Sequence, residues 1–305
     1  MSQFPVGPGG IGPSPGSWSW DDEVMAFNSI VAQKQLAEAL KTARKAAGIS
    51  ASDAGKVVDK SQPTMWRIES AQATITPQEL AKLGRAYGIP DAELARLQEL
   101  LQSGRSDKWW DEYRLDGTLS AEYENFIAFE NEAIRATTLQ TQAFQGLLQV
   151  RGYAEALIGG GTLGIDPDRA EALVDIRMMR QRRLDDAEPI ELIAILTEAV
   201  LHYQYGSPAI HLGQLRHVRE MCDHPQVTVL LVPYTAMTDM SSVDLLEFAE
   251  PSPPVAFMES SWSNQALDQP RRINQTRRMI ARVHERALTP EGTIKAIEHK
   301  IGEMA

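Results

Sequence analysis

The sequence predicts a multidomain chain: an all-α unit of five short helices, followed by a mixed α/β (α+β) unit with a sheet of about four strands. Three observations predict it. Between Val31 and Ser103 apolar residues recur at helical spacing in five short segments, separated by caps and breakers. Beyond Ala121 that spacing alternates with short Val-, Ile- and Leu-rich runs bounded by Pro, Gly, Ser or Asp. Finally, 305 residues exceed the ~150 that a single core commonly serves.

Residues 1–30 are expected to form a disordered or loosely packed tail. Segments such as Pro5-Val6-Gly7-Pro8-Gly9-Gly10 bury too little apolar surface to offset ordering entropy. Trp18 and Trp20, at the end of the tail, either pack back on the body or touch a partner. Residues 31–103 hold the helical unit. Leu36, Leu40, Ala43 and Ala47 share a face of the first helix, and Gly48 stops it. Ala54, Val57 and Val58 mark the second, and Asp59-Lys60 the turn after it. Ser61 is placed to cap a third helix running to about Glu69, with Pro63 in its first turn and Met65 and Ile68 inward. Thr76-Pro77-Gln78-Glu79 is a capping-box sequence opening the fourth, closed by Gly88-Ile89-Pro90. Leu94, Leu97 and Leu101 mark the fifth.

Residues 104–120, polar and aromatic, are expected to link this unit to a regulatory and dimerising domain over 121–305. There the spacing predicts helices near Ala121–Arg135, Gln149–Leu157, Pro167–Leu184, Pro208–Cys222, Arg271–Leu288 and Pro290–Glu303. It predicts strands at Ile190–Ile195, Val227–Val232, Val243–Phe248 and Val255–Met258.

The second and third helices have the makings of a helix-turn-helix. That motif needs a small residue where the helices cross, here Gly55, and a second helix with apolar anchors inside and polar groups outside. Ser61, Gln62, Pro63, Thr64, Trp66 and Arg67 remain outward, with Lys60 just before them. Gln is suited to adenine, Arg to guanine or phosphate, and Ser and Thr to phosphate oxygens. The competing reading is a plain helical bundle in which Gln62 and Arg67 are merely solvated.

The segment Lys60-Ser61-Gln62-Pro63-Thr64-Met65-Trp66-Arg67-Ile68-Glu69 resembles the recognition segment of the Xre/Cro-CI phage-repressor family, whose pattern is Ser-Gln-x-x-apolar-x-Arg-Ile-Glu. The resemblance implies that Gln62 reads a base, Arg67 contacts DNA, and Glu69 caps or bridges structurally. The chain departs from the pattern at Ala51, where Gln is usual, at Ala71, where Gly is frequent, and at Trp66, where a small polar residue is usual. Trp66 would pack on the sugar-phosphate backbone or seal against the second domain.

Beyond Trp109 the chain resembles the C-terminal domain behind this reader in many actinobacterial regulators, a group described as antitoxin-like and often paired with a small partner protein. The matching segments include Phe129-Glu130-Asn131-Glu132, Gly146-Leu147-Leu148-Gln149, Arg180-Gln181-Arg182-Arg183-Leu184, Glu198-Ala199-Val200-Leu201 and Val232-Pro233. This resemblance implies architecture rather than mechanism. Glu132 and Arg135 suggest a helix ion pair, and Glu130 and Glu132 point too far apart for acid–base work. Arg177, Arg180, Arg182 and Arg183 stand out as the one dense basic patch of the body, read either as a solvated helix face or as a site for an anion or acidic partner.

Charge and composition narrow the function. Of the net charge of −11, residues 31–103 carry +2, from ten Lys and Arg against eight Asp and Glu, so the remainder carries −13. This is a weakly basic reader on an acidic body, whose DNA affinity should depend on salt. No apolar run reaches the ~20 residues of a membrane span, and Met1 to Ser19, mostly Gly, Pro and Ser, is not expected to act as a secretory signal. Cys222 is the single cysteine, and the histidines lack metal-ligand spacing. The expectation is a cytoplasmic, homodimeric regulator, not an enzyme, with no cofactor and no metal. It would bind double-stranded DNA at a pseudo-palindromic operator while its body receives a small-molecule effector or a protein. The alternative is an antitoxin-type module that sequesters a small partner protein and autoregulates its operon.

Overall fold

The computed structural model describes residues 30–103, 109–115, 117–161, 164–236, 241–250, 252–260 and 263–305; the expected tail, with Trp18 and Trp20, lies outside them. The first unit comprises α1 (Ile30–Ala46), α2 (Ala51–Val57), α3 (Gln62–Glu69), α4 (Pro77–Tyr87) and α5 (Asp91–Ser103). Their starts follow local chemistry. Ser50 and Ser61 accept from the backbone N–H three residues on, and Thr76 and Glu79 complete a reciprocal capping box. Gly48 and Gly88 take the left-handed conformation that ends α1 and α4. Leu36, Leu40, Ala54, Met65, Ile68, Leu80, Leu83 and Leu97 form one core.

Among the described residues two that are not glycine also adopt left-handed backbone, Asp59 after α2 and Ala71 after α3, with φ of 53° and 57°. At Ala71 the Cβ crowds the following carbonyl, which costs about 1–2 kcal/mol in an L-residue. Ala71 is the position where the resembled family often has Gly. Ala71→Gly is therefore expected to stabilise the reader by about 0.5–1 kcal/mol, after allowing for glycine's larger unfolded-state entropy, read as a higher urea midpoint at unchanged slope.

The body adds α6 (Asp111–Leu115), α7 (Ala121–Glu132), α8 (Arg151–Gly159), α9 (Pro167–Arg180), α10 (Pro208–Met221), α11 (Pro270–His284) and α12 (Pro290–Met304). Its strands are β1 (Arg135–Gln140), β2 (Glu191–Thr197), β3 (Val227–Val232), β4 (Val243–Glu247), β5 (Val255–Ser260) and β6 (Ser263–Leu267). They form one mixed sheet in the order β3-β2-β1-β4-β5-β6. β1, β2 and β3 are parallel, while β4, β5 and β6 add antiparallel. Alternate residues go to opposite faces. Leu192, Ala194, Leu196, Val229, Leu231 and Phe257 pack with α7, α8, α10 and α12, whereas Leu139, Ile195, Leu230, Val232 and Leu245 pack with α11. Two covered faces explain why β2 and β3 are near-continuous apolar runs.

The sheet has six strands rather than about four. The sequence reading missed β1 and β6. Arg135-Ala136-Thr137-Thr138-Leu139-Gln140 is too polar to read as a buried strand, yet it lies between β2 and β4, with Ala136 and Thr138 buried by neighbours distant in sequence. The expected helix from Ala121 through Arg135 stops at Glu132, so the Glu132–Arg135 helix ion pair does not form. Arg135 instead pairs with Glu191 at 2.7 Å across β1 and β2.

Glu132 has a different role. Its carboxylate accepts the backbone N–H groups of Ile30 and Val31 at the start of α1, a helix with no acidic residue in its own first turn. Lys34 reaches Asp268 at 2.9 Å, so α1 belongs to the reader core and also docks on the body. Within the expected linker, Trp110 and Leu119 are buried with Ile127, Ala128 and Ile176, so this stretch is packed where it is described.

Candidate nucleic-acid interface

The turn between α2 and α3 is built around Gly55. Its carbonyl accepts the N–H groups of Val58 (3.1 Å) and Lys60 (2.9 Å), and a Cβ on Gly55 would overlap the Lys60 carbonyl oxygen. Left-handed Asp59 turns the chain, and Ser61 restarts it as the cap of α3. Met65 and Ile68 are buried and anchor the inner side of α3. Its outer side remains free: Ser61, Gln62, Pro63, Trp66 and Arg67 are exposed, and Thr64 is half-buried.

The polar groups on that side are lightly held. Ser61 and Thr64 hydroxyls are 2.9 Å apart, and Arg67 touches the Thr64 hydroxyl at 3.4 Å. A guanidinium with one long, exposed contact can turn to a base edge or phosphate at little cost. Gln62 makes no side-chain hydrogen bond among the described residues. Trp66 is 60% exposed, so it is not sealed against the body within this chain. Lys60 is placed otherwise: its ammonium is half-buried and bound to Glu79 at 2.9 Å, which braces the turn against α4.

Burial works to raise the Glu79 carboxyl, but the Thr76 backbone N–H and the Lys60 ammonium outweigh it and hold the group below its ordinary value. A carboxyl depressed by folding contributes stability above its unfolded pKa and loses it as pH falls through the folded value. The reader is therefore expected to lose stability on acidification below the ordinary carboxylate range, and Glu79→Gln to flatten that loss in a pH series of melting curves.

Behind α3 stands a buried ion pair. Arg44 of α1 grips Glu69 through two hydrogen bonds, Nε at 2.6 Å and Nη2 at 2.8 Å, and donates from Nη1 to the Ile49 carbonyl at 2.8 Å. The bridging role implied for Glu69 thus has a specific partner. Burial, with a smaller contribution from Glu69, pushes the nearby Tyr87 phenol up to about 12. Glu69→Ala would strand the Arg44 charge in a site where it is only 13% exposed, an expected loss of about 3 kcal/mol that a melting curve would read.

The four body arginines do not converge. Arg180 is buried and donates to Glu130 from Nε (2.6 Å) and Nη2 (2.8 Å), with Nη1 on the Tyr123 hydroxyl. Burial opposes its charge, but Glu130 and Tyr123 overcome that and raise its pKa above the ordinary value. Arg183 holds the carbonyls of Glu188 and Ala133, Arg177 donates to Gln149 at 2.8 Å, and Arg182 is exposed. They form neither one solvated face nor one four-arginine anion site.

Nor are they the body's only basic cluster. α11 presents Arg271, Arg272, Arg277, Arg278 and Arg282 to solvent, and among the described residues only Arg277 of these is ion-paired, to Glu247 at 2.7 Å. The signal was visible in the sequence, five arginines within fifteen residues and no acid among them. Among the described residues no group of three His, Cys, Asp or Glu could hold a metal ion, and no helix is long and apolar enough to cross a membrane.

A family profile described as a helix-turn-helix domain matches residues 35–97, the span of α1 to α5 that carries this face. A second, described as a domain of unknown function (DUF5753), matches residues 123–299, from α7 into α12. Comparison with curated proteins and with solved structures gave no match.

Proposed function

The chain belongs to the DUF5753 family and carries a helix-turn-helix domain in front of that region, and from this premise we propose that it is a sequence-specific transcriptional regulator of the Xre/Cro-CI type. The observation that carries the proposal is the outer side of α3, where Gln62 and Arg67 are exposed and lightly held on a helix whose inner side is anchored by Met65 and Ile68. Gln62 pairs with an adenine edge, Arg67 with guanine or phosphate, and Ser61 and Thr64 with phosphate oxygens. Exposed Trp66 packs along the sugar-phosphate backbone. One reader covers about half a site, so a homodimer would join two half-sites one helical turn apart, its body pairing the copies and receiving the signal. The protein would work in the cytoplasm, without enzymatic activity.

Selection from a randomised duplex pool by the purified full chain tests this. Enrichment of a pseudo-palindrome with half-sites about one turn apart is expected; a pool that stays random overturns the reading.

A second reading, the antitoxin-type module, draws on the charge of −13 outside the reader, which would attract a small basic protein. Purification from native cells discriminates. A stoichiometric small protein favours this reading, and a lone dimer the first.

A further inference from the structure

The sheet order reverses between β1 and β4: the chain runs from β1 to β2 to β3 on one side, then returns to β1's other side with β4. In open α/β sheets a crevice forms outside the carboxyl ends of the parallel strands at such a point. Here a small polar cavity of about 70 Å³ opens at the carboxyl end of β1, with room for a ligand of a few heavy atoms. Because β4 is antiparallel, its first residues, including Asp244, face the last residues of β1.

The lining is unlike a packing void. Gln140, Gln145, Gln149 and Asp244 all line it, and each is more than nine-tenths buried. Buried polar groups destabilise a fold when left unsatisfied, so they accumulate where something bonds to them. Several are only partly used. Gln140 donates to Asp244 at 3.2 Å, and its own oxygen has no partner among the described residues. Gln145 spends its oxygen on the Leu147 N–H and leaves its amide N–H groups without one.

Arg177 is the sharpest case. Nη1 is fixed by Gln149 at 2.8 Å, while buried Nε has no partner. The unused Nε–Nη2 edge is the fork that takes a carboxylate in two parallel hydrogen bonds. The surrounding loop is held firm: Gln149 Nε2 donates to the Phe144 carbonyl at 2.6 Å, and Thr197 to the Thr141 carbonyl at 2.9 Å.

We propose that this cavity binds a small amino or hydroxy acid, its carboxylate on Arg177 and its ammonium or hydroxyl donated to Asp244 and the Gln140 oxygen. A continuous set of contacts leads from it to the reader. Arg180, one turn beyond Arg177, holds Glu130 in α7; Glu132 of α7 caps α1; and Arg44 of α1 holds Glu69 at the end of α3. The effect on DNA rests on the regulator reading above, whereas occupancy of the cavity does not.

The test is thermal denaturation of the full chain against the twenty proteinogenic amino acids, a set of short hydroxy acids, and inorganic phosphate as a separate arm. At least one amino or hydroxy acid is expected to raise Tm by about 5 °C or more at a hundred times its Kd. Arg177→Lys, which keeps the charge and loses the fork, should abolish that rise with a circular-dichroism spectrum like that of the parent chain. Asp244→Asn should weaken the rise at least tenfold in concentration. A flat panel, an equal rise with phosphate alone, or a rise that survives Arg177→Lys would overturn the site. Binding of the selected duplex is measured alongside. A chain that binds the acid but no duplex keeps the site and sinks the regulator reading. Duplex binding without an acid response does the reverse.

Discussion

Replacing Gln62 and Arg67 together by alanine is expected to abolish retention of a specific operator while leaving the reader folded. Both side chains are exposed, and neither touches the core formed by Met65, Ile68 and Leu80, so their loss opens no cavity. Each well-formed pairing to a base edge is worth roughly 1–3 kcal/mol of discrimination. Together they supply about 2–6 kcal/mol, or about 30-fold to 10⁴-fold in affinity. The two should also differ in kind. If Arg67 takes a phosphate, its substitution lowers the salt slope by about one unit and weakens all sequences alike, whereas loss of Gln62 relaxes preference at one position. Titrations at several salt concentrations, with operator and scrambled duplexes, separate these outcomes. Unchanged operator binding would remove α3 as the reading element.

The second large effect is in the body. Glu130→Ala would leave the Arg180 guanidinium without its counter-charge at 5% exposure, a loss of about 3–5 kcal/mol. For a domain of this size that lowers Tm by about 6–20 °C. The geometry supports the upper part of the range: Arg180 lies 4.9 Å from the Phe126 ring centre and bonds the Tyr123 hydroxyl, so little water can replace the carboxylate. Because folding raises the arginine's pKa, the guanidinium keeps its charge throughout the neutral range and this contribution is not lost near neutrality. The pair Glu130→Leu with Arg180→Met should recover most of the loss, since apolar side chains of similar volume commonly replace a buried ion pair at no net cost. For comparison, exposed Glu298, 2.7 Å from Arg219, should change stability by less than about 1 kcal/mol when replaced by alanine. A Glu130→Ala chain as stable as the parent would show the pair to be dispensable.

The reader was legible because its signals are local. Ser61 caps the turn that follows it, Thr76 and Glu79 cap each other, and Met65 and Ile68 reach the core by helical period alone. Each depends on residues three or four apart, a distance at which order in the chain is order in space. Gln62 and Arg67 were placed on the outer face by the same arithmetic. Lys60 was not placed correctly by it, because its partner Glu79 comes from another helix and takes up its charge.

In the body, sequence by itself determined the apolar strands β2 to β5 in outline and most of the helices. Only the tertiary structure decided that the polar stretch Arg135–Gln140 is a central strand, since its burial comes from β2 and β4, which lie tens of residues away or more. It also decided the fates of the arginines. Arg177, Arg180, Arg182 and Arg183 look alike along the chain, yet one faces a cavity, one is buried on Glu130, one is exposed and one holds backbone carbonyls. A charged side chain reads the same in sequence whether it is solvated, paired or waiting for a ligand. What separates those states is the partner that long-range packing brings within hydrogen-bond distance, and no local pattern encodes it.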